Sequence, residues 1–178
     1  MLIRKYSASW PLKFRAIKDQ LEKGGIDFRI EHVGSTAVPG LDAKDIIDVD
    51  IIYADPQHFE QIRERLTGLG YYHNGNQGIP QRAVFKRNGR LKDDVLDKID
   101  HHLYACPSDS KSLERHLLSR DYLRKYDEAR KTYQQMKYEL AAKANQDKKR
   151  YAALKELHVN DFIDSIVEKA RRDQLLAR

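Results

Sequence analysis

The sequence predicts an α+β fold: a small mixed β-sheet core followed by a helical C-terminal third. Three observations carry this. Residues 26–53 hold a period-two stretch and a β-branched apolar run, both of strand length. Every glycine lies at or before Gly89, so the chain beyond Pro107 lacks the residue that most often breaks helices. The basic excess is one-sided: residues 1–109 balance 16 Lys+Arg against 16 Asp+Glu, whereas residues 110–178 carry 17 against 11. That asymmetry points to an anionic partner for the helical part, such as a nucleotide phosphate or a nucleic acid.

The elements follow in order. Ser9-Trp10-Pro11 reads as a helix start with Ser9 as the cap, Phe14, Ile17 and Leu21 form its apolar stripe, and Gly24-Gly25 ends it, giving a helix near 10–24. In 26–33, Ile26, Phe28, Ile30 and His32 share one face of a half-buried strand. The run DIIDVDIIY at 45–53 reads as a strand buried on both faces, and GSTAVPGLDA before it as a turn segment with room for one helical turn. Pro56 opens a helix carrying Phe59, Ile62, Leu66 and Leu69, closed by Gly68 and Gly70.

Tyr71-Tyr72-His73 reads as a short strand, NGNQGIP as a loop and QRAVFKR as a strand, with Asn88-Gly89 a hairpin turn signal, the charged segment LKDDVLDKID delaying the partner, and HHLYAC at 101–106 the returning strand. Helices are expected at 109–126, 128–145 and 148–172. The expected organisation is residues 1–107 as the α/β core with residues 108–178 packed on it, one compact unit. The single Cys106 excludes an intramolecular disulfide framework. No secretory segment or membrane-length apolar run is present, so a cytoplasmic protein without a membrane partner is expected.

The candidate chemistry centres on Asp48 and Asp50. Carboxylates at i and i+2 of a strand point to one face and suit a shared divalent cation. Gly34-Ser35-Thr36 follows a strand, where glycine allows close backbone approach and the following amides and hydroxyls donate to phosphate. Together they describe a site for a nucleotide phosphate and Mg2+. On the helical side His116, Arg120 and Arg124 recur every four residues as one stripe, and arginine suits bidentate phosphate contact. Lys44, Arg82 and Lys155 are further cationic candidates. His101 and His102 face opposite sides of their strand, one of them structural.

Val33-Gly34-Ser35 followed by Asp48-Val49-Asp50 resembles the signature of the nucleotidyltransferase fold shared by DNA polymerase β and antibiotic nucleotidyltransferases. More closely, IEHVGSTAVPGLDAKDIIDVDI, GIPQRAVFKR, HHLYAC, RHLLSRDYLRKY and YAALKELHVNDFI resemble successive blocks of the GrpB family, from residue 30 to about 163. The resemblance implies a nucleotidyltransferase-like core in which Gly34 and Ser35 cradle a triphosphate and Asp48 and Asp50 hold metal. A third acid is then expected from HHLYAC, where this chain offers His102 or Tyr104 instead, and Asp97 or Asp100 could substitute only if the 88–100 segment carried one there. His102 is accordingly the candidate proton carrier or metal ligand. Two functions follow: Mg2+-dependent transfer of a nucleotidyl group from a nucleoside triphosphate to a hydroxyl, or noncatalytic binding of a nucleotide or related phosphorylated molecule. GrpB-like domains joined to dephospho-CoA kinase imply a link of the second kind to coenzyme A. Nucleic-acid binding ranks lowest, because no recognition motif accompanies the basic residues.

Overall fold

The computed structural model describes residues 1–176 and is α+β, with five α-helices and a five-stranded mixed sheet. Helix α1 spans Ser9–Lys23, strand β1 Arg29–Val33, a single 3-10 turn Ser35–Ala37, and strand β2 Ile47–Tyr53. Helix α2 spans Gln57–Gly68, and strands β3, β4 and β5 span Tyr71–His73, Ala83–Arg87 and His101–Pro107. Helices α3 (Lys111–Lys125), α4 (Asp127–Lys143) and α5 (Lys148–Leu176) complete the chain.

The sheet runs β1-β2-β5-β4-β3, with β2 and β5 parallel and the other neighbours antiparallel. Strand β2 therefore has paired neighbours on both sides, and Ile47, Val49 and Ile51 are fully buried, as its β-branched composition demands. They pack with Trp10, Ile17 and Leu21 of α1 and Ile62 and Leu66 of α2 to form the first core. A second core joins α3, α4 and α5, through Tyr133, Leu140, Tyr151, Val159 and Ile166, to Ile3, Val38 and Leu41. The helical third is thus sealed onto the sheet by residues from the first quarter of the chain.

Three local expectations are corrected. Ser9 is the first residue of α1 rather than its cap; its amide donates to the Ser7 hydroxyl, 3.2 Å away. Helix α3 begins later than residue 109, capped by Ser110, whose hydroxyl accepts from the Leu113 amide at 3.0 Å. Asn88-Gly89 does not close a tight hairpin: residues 88–100 form a folded excursion held by Asp93, whose carboxylate accepts from the Val95 and Leu96 amides. Leu96 is buried in the first core, so the loop buries an apolar anchor that a two-residue turn lacks.

Candidate functional site

Because β2 pairs in parallel with β5, Asp48 stands beside His102 and Asp50 beside Tyr104; on the other side β1 sets Val33 against Asp48 and Glu31 against Asp50. The chain leaves β1 at Gly34 with φ 72°, where a Cβ would lie 2.2 Å from Asp48 Oδ2. Only glycine lets the turn pass this close to the carboxylate. Residues Ser35–Ala37 then make the expected helical turn. Thr36 Oγ1 donates to the Ile46 carbonyl at 3.2 Å and, with its proton so used, accepts from His32 Nε2 at 3.0 Å.

Each of the paired acids is engaged by an imidazole. His102 Nδ1 donates to Asp48 Oδ1 at 2.9 Å, and His116 Nδ1, from α3, donates to Asp50 Oδ2 at 2.8 Å. Burial pushes the Asp48 carboxyl up. The His102 hydrogen bond and the charges of His102, Lys155 and His116 outweigh that effect and hold it below the ordinary carboxylate value. Asp50 is fully buried, and its Oδ1 has no hydrogen-bond partner.

A cavity of about 520 Å3 opens in front of these groups, between the Gly34-Ser35 turn, the 77–82 loop, α3 and α5. Gly34, Ser35, Lys44, Asp48, Arg82, His116, Arg120 and Lys155 line it. Arg82 lies over the Tyr104 ring, 4.8 Å from its centroid, and its buried Nε has no partner. Lys44 lies 5.3 Å from the Tyr151 centroid. Burial and the nearby ammonium of Lys155 lower its pKa against the pull of Asp48. Lys155 is held above the ordinary lysine value by Tyr133, against burial, with Tyr151 and Asp48 adding to the effect.

The remaining sequence candidates lie differently. Arg120 is 8% exposed and committed within the fold: it donates to Glu31 Oε2 at 2.6 Å, to the His32 carbonyl at 2.9 Å and to Asp121. Arg124 reaches the Ala37 carbonyl at 2.9 Å and lines a different cavity, behind the turn, with Phe14 and His32. Thr36 faces a smaller chamber next to the main one. His101 is the structural member of its pair, bonded to Tyr71 Oη at 2.6 Å and Ile99 O at 2.6 Å.

Neither substitute for the third acid joins the pair. Asp97 is bonded to Arg87 at 2.6 Å, and Asp100 lines a separate cavity that contains neither Asp48 nor Asp50. Lys137, which sequence reasoning did not select, is 2% exposed and lines the smaller chamber with Lys44, Lys155 and Asp48. A signal existed: position 137 falls on the helical stripe of Tyr133, Leu140 and Ala141, where a lysine is out of place in an apolar face.

Among the described residues no cluster of three or more His, Cys, Asp or Glu side chains is placed to hold a metal ion. The donors fit a single hard cation rather than a pair. Asp48 lines the cavity, Oδ1 of the buried Asp50 behind it has no hydrogen-bond partner, and Mg2+ customarily completes its shell with water and substrate phosphates.

The sheet order, the turn and the alternating acids define a nucleotidyltransferase-like fold. A poly(U) polymerase, Cid1, in a mutant form bound to MgATP, superposes with a TM-score of 0.55 at 16% identity, over 81% of this chain and 45% of that one. The chain belongs to the GrpB family, whose profile, described as GrpB protein, matches residues 1–169. It is 31% identical to the UPF0157 protein YqkA of Bacillus subtilis (strain 168) over 94% of its own length, and 35% identical to the UPF0157 protein PA4798 of Pseudomonas aeruginosa over 80%. It spans only 46% and 58% of those two proteins. The crystal structure of GrpB from Enterococcus faecalis matches with a TM-score of 0.75 at 24% identity, covering 94% of this chain and 98% of that one. No helix among the described residues is long and apolar enough to cross a membrane.

Proposed function

We propose that this protein binds a nucleoside triphosphate with Mg2+ in the cavity between sheet and helices and transfers its nucleotidyl group to a hydroxyl. The observation that carries the reading is the convergence of Lys44, Arg82 and Lys155 on Asp48 beside the Gly34-Ser35 turn. These cations exceed the negative charge facing them, and a polyphosphate supplies what is missing. Ser35 and the amides after Gly34 offer donors to the phosphates. Asp48 and Asp50 would hold the Mg2+, which when bound neutralises phosphate charge and orients the transferring group.

His102 supplies the proton acceptor. Its Nδ1–H is fixed by Asp48, so the imidazole is oriented with Nε2 free, and the side chain is half exposed where an acceptor could approach. The acceptor oxygen bonds to the α-phosphorus as its proton passes to Nε2, and the bond to the pyrophosphate oxygen breaks. Tight nucleotide binding that needs Mg2+ is expected by calorimetry. Pyrophosphate release across a panel of hydroxyl acceptors is expected to fall by at least about a hundredfold in Asp48→Asn, with circular dichroism unchanged.

One observation favours a noncatalytic nucleotide- or coenzyme A-related binding module instead: both acids are already hydrogen-bonded to imidazoles, and β5 brings no third carboxylate. Nucleotide affinity indifferent to Mg2+, with no pyrophosphate release from any triphosphate, would select that reading.

A further inference from the structure

Next to the main cavity lies a chamber of about 260 Å3, lined by Ser35, Thr36 and Asp48, by His102 and Tyr104 at one side, and by three lysines, Lys44, Lys137 and Lys155. It shares Ser35, Lys44, Asp48 and Lys155 with the larger cavity, so the two meet along the Gly34-Ser35 turn. At about 30 Å3 per water in the liquid, the chamber has room for several water-sized groups, enough for a phosphate.

Lys137 is the one lysine of the three that lines the chamber but not the main cavity. It projects from the apolar face of α4, donates to the Asp42 carbonyl and lies 5.2 Å from the Tyr133 ring centroid. An ammonium carries three donors, and the protein engages one of them by hydrogen bond. Three lysine amines thus face a single carboxylate in a partly enclosed space, an arrangement that an incoming anion relieves. The charge balance points the same way: burial and Lys155 depress the Lys137 pKa well below its ordinary value, Lys44 adds to this, and Asp42 and Asp48 do not make up the difference.

We propose that this chamber seats the terminal phosphate of a nucleoside triphosphate, and that Lys137 selects triphosphates over di- and monophosphates. The inference rests on the larger cavity being the nucleotide site. A terminal phosphate brings close to two negative charges and three acceptor oxygens to three ammonium donors, a match that a carboxylate with two oxygens does not make. A nucleoside diphosphate in the same register reaches the turn, Lys44 and Lys155 but leaves the chamber's end unfilled. Lys137 then contributes to one class of nucleotide only.

The test measures binding of ATP, ADP and AMP with Mg2+ by calorimetry, and displacement of ATP by inorganic tripolyphosphate, in the wild type and Lys137→Met. The wild type is expected to prefer ATP over ADP by about tenfold or more, the worth of one charge-assisted contact. Tripolyphosphate is expected to displace ATP. In Lys137→Met the preference shrinks to about twofold while ADP affinity holds, and Lys137→Gln serves if the methionine variant does not fold.

Equal affinity of the wild type for ATP and ADP would overturn the inference while leaving the nucleotide site intact. So would a proportional loss for both ligands in the variant, or failure of tripolyphosphate to compete. Absence of binding by any nucleotide would remove the proposed function itself.

Discussion

His32 holds the Gly34-Ser35 turn from behind. Its ring stacks on Phe14 with centroids 4.8 Å apart, its Nε2 donates to Thr36, and Arg120 donates to its carbonyl. Burial, helped by Arg124 and Arg120 and opposed by Asp48, lowers its pKa from 6.5 to about 4. The sign of the linkage follows from that depression. The fold holds His32 neutral and the unfolded chain protonates it below pH 6.5, so its contribution is complete above that pH and is lost as the pH falls toward 4. The loss amounts to about 3 kcal/mol over that interval. Urea denaturation at steps from pH 7 to 4 is expected to show this decline in the wild type and a flatter profile in His32→Gln, which keeps an N–H for Thr36. Equal slopes in the two proteins would refute it. The strand pattern of residues 26–33 already set His32 on the same face as Ile30, and both are buried. What the pattern could not convey is the partner: Thr36 meets the ring only because Gly34 turns the chain back on itself.

On α3 the His116, Arg120 and Arg124 stripe is legible as a four-residue spacing, but the spacing cannot say what each side chain meets. Folding assigns them in turn to Asp50, to Glu31 with the His32 carbonyl, and to the Ala37 carbonyl, so the stripe fastens the helix along β1 and the turn that follows. Arg120 and Arg124 look alike in sequence and differ in burial, at 9% and 41% side-chain exposure. Arg120→Ala leaves the half-buried Glu31 carboxylate to Arg29 alone and removes the donor to the His32 carbonyl, and is expected to cost about 2–3 kcal/mol in a urea titration. Arg124→Ala, losing its bond to the Ala37 carbonyl and a half-exposed ion pair with Asp121, is expected to cost about 1 kcal/mol. Comparable losses in both variants would show that the helix is not fixed through Arg120. The same limit explains the 88–100 segment: Asn88-Gly89 has the chemistry of a tight turn, but Leu96, seven residues beyond Gly89, decides the path by entering the core. It explains Lys137 in part: its place on the apolar stripe of α4 is legible, but nothing local tells that it shares a chamber with Lys44, 93 positions upstream, and with Lys155 of α5.

At the scale of the molecule, the boundary near residue 107 divides the chain by texture but not by core. Ile3, Val38 and Leu41 precede that boundary and are 2%, 0% and 0% exposed inside the helical cluster, while Leu113 of α3 packs on Ile52 and Cys106 of the sheet. Asp42 adds polar ties, accepting from Gln134 and Tyr138 of α4 as well as from the Tyr6 amide. Removing the helices would expose three large apolar side chains worth about 2 kcal/mol each. That total of about 6 kcal/mol is comparable to the whole stability of an ordinary domain. It would also leave Asp50 without His116 and the Gly34-Ser35 turn without Arg120 and Arg124. A fragment of residues 1–107 is therefore expected to lack a cooperative thermal transition and native amide dispersion in NMR spectra. The full chain is expected to unfold in one step that ATP with Mg2+ displaces upward. At a hundredfold excess over Kd the ligand adds about 2.7 kcal/mol, which at this chain length is a rise of roughly 5–10 °C in Tm. A fragment with a dispersed spectrum and its own transition would show that the sheet stands alone. A nucleotide that stabilised that fragment as much as the full chain would place the binding energy in the turn and acids rather than between the two layers.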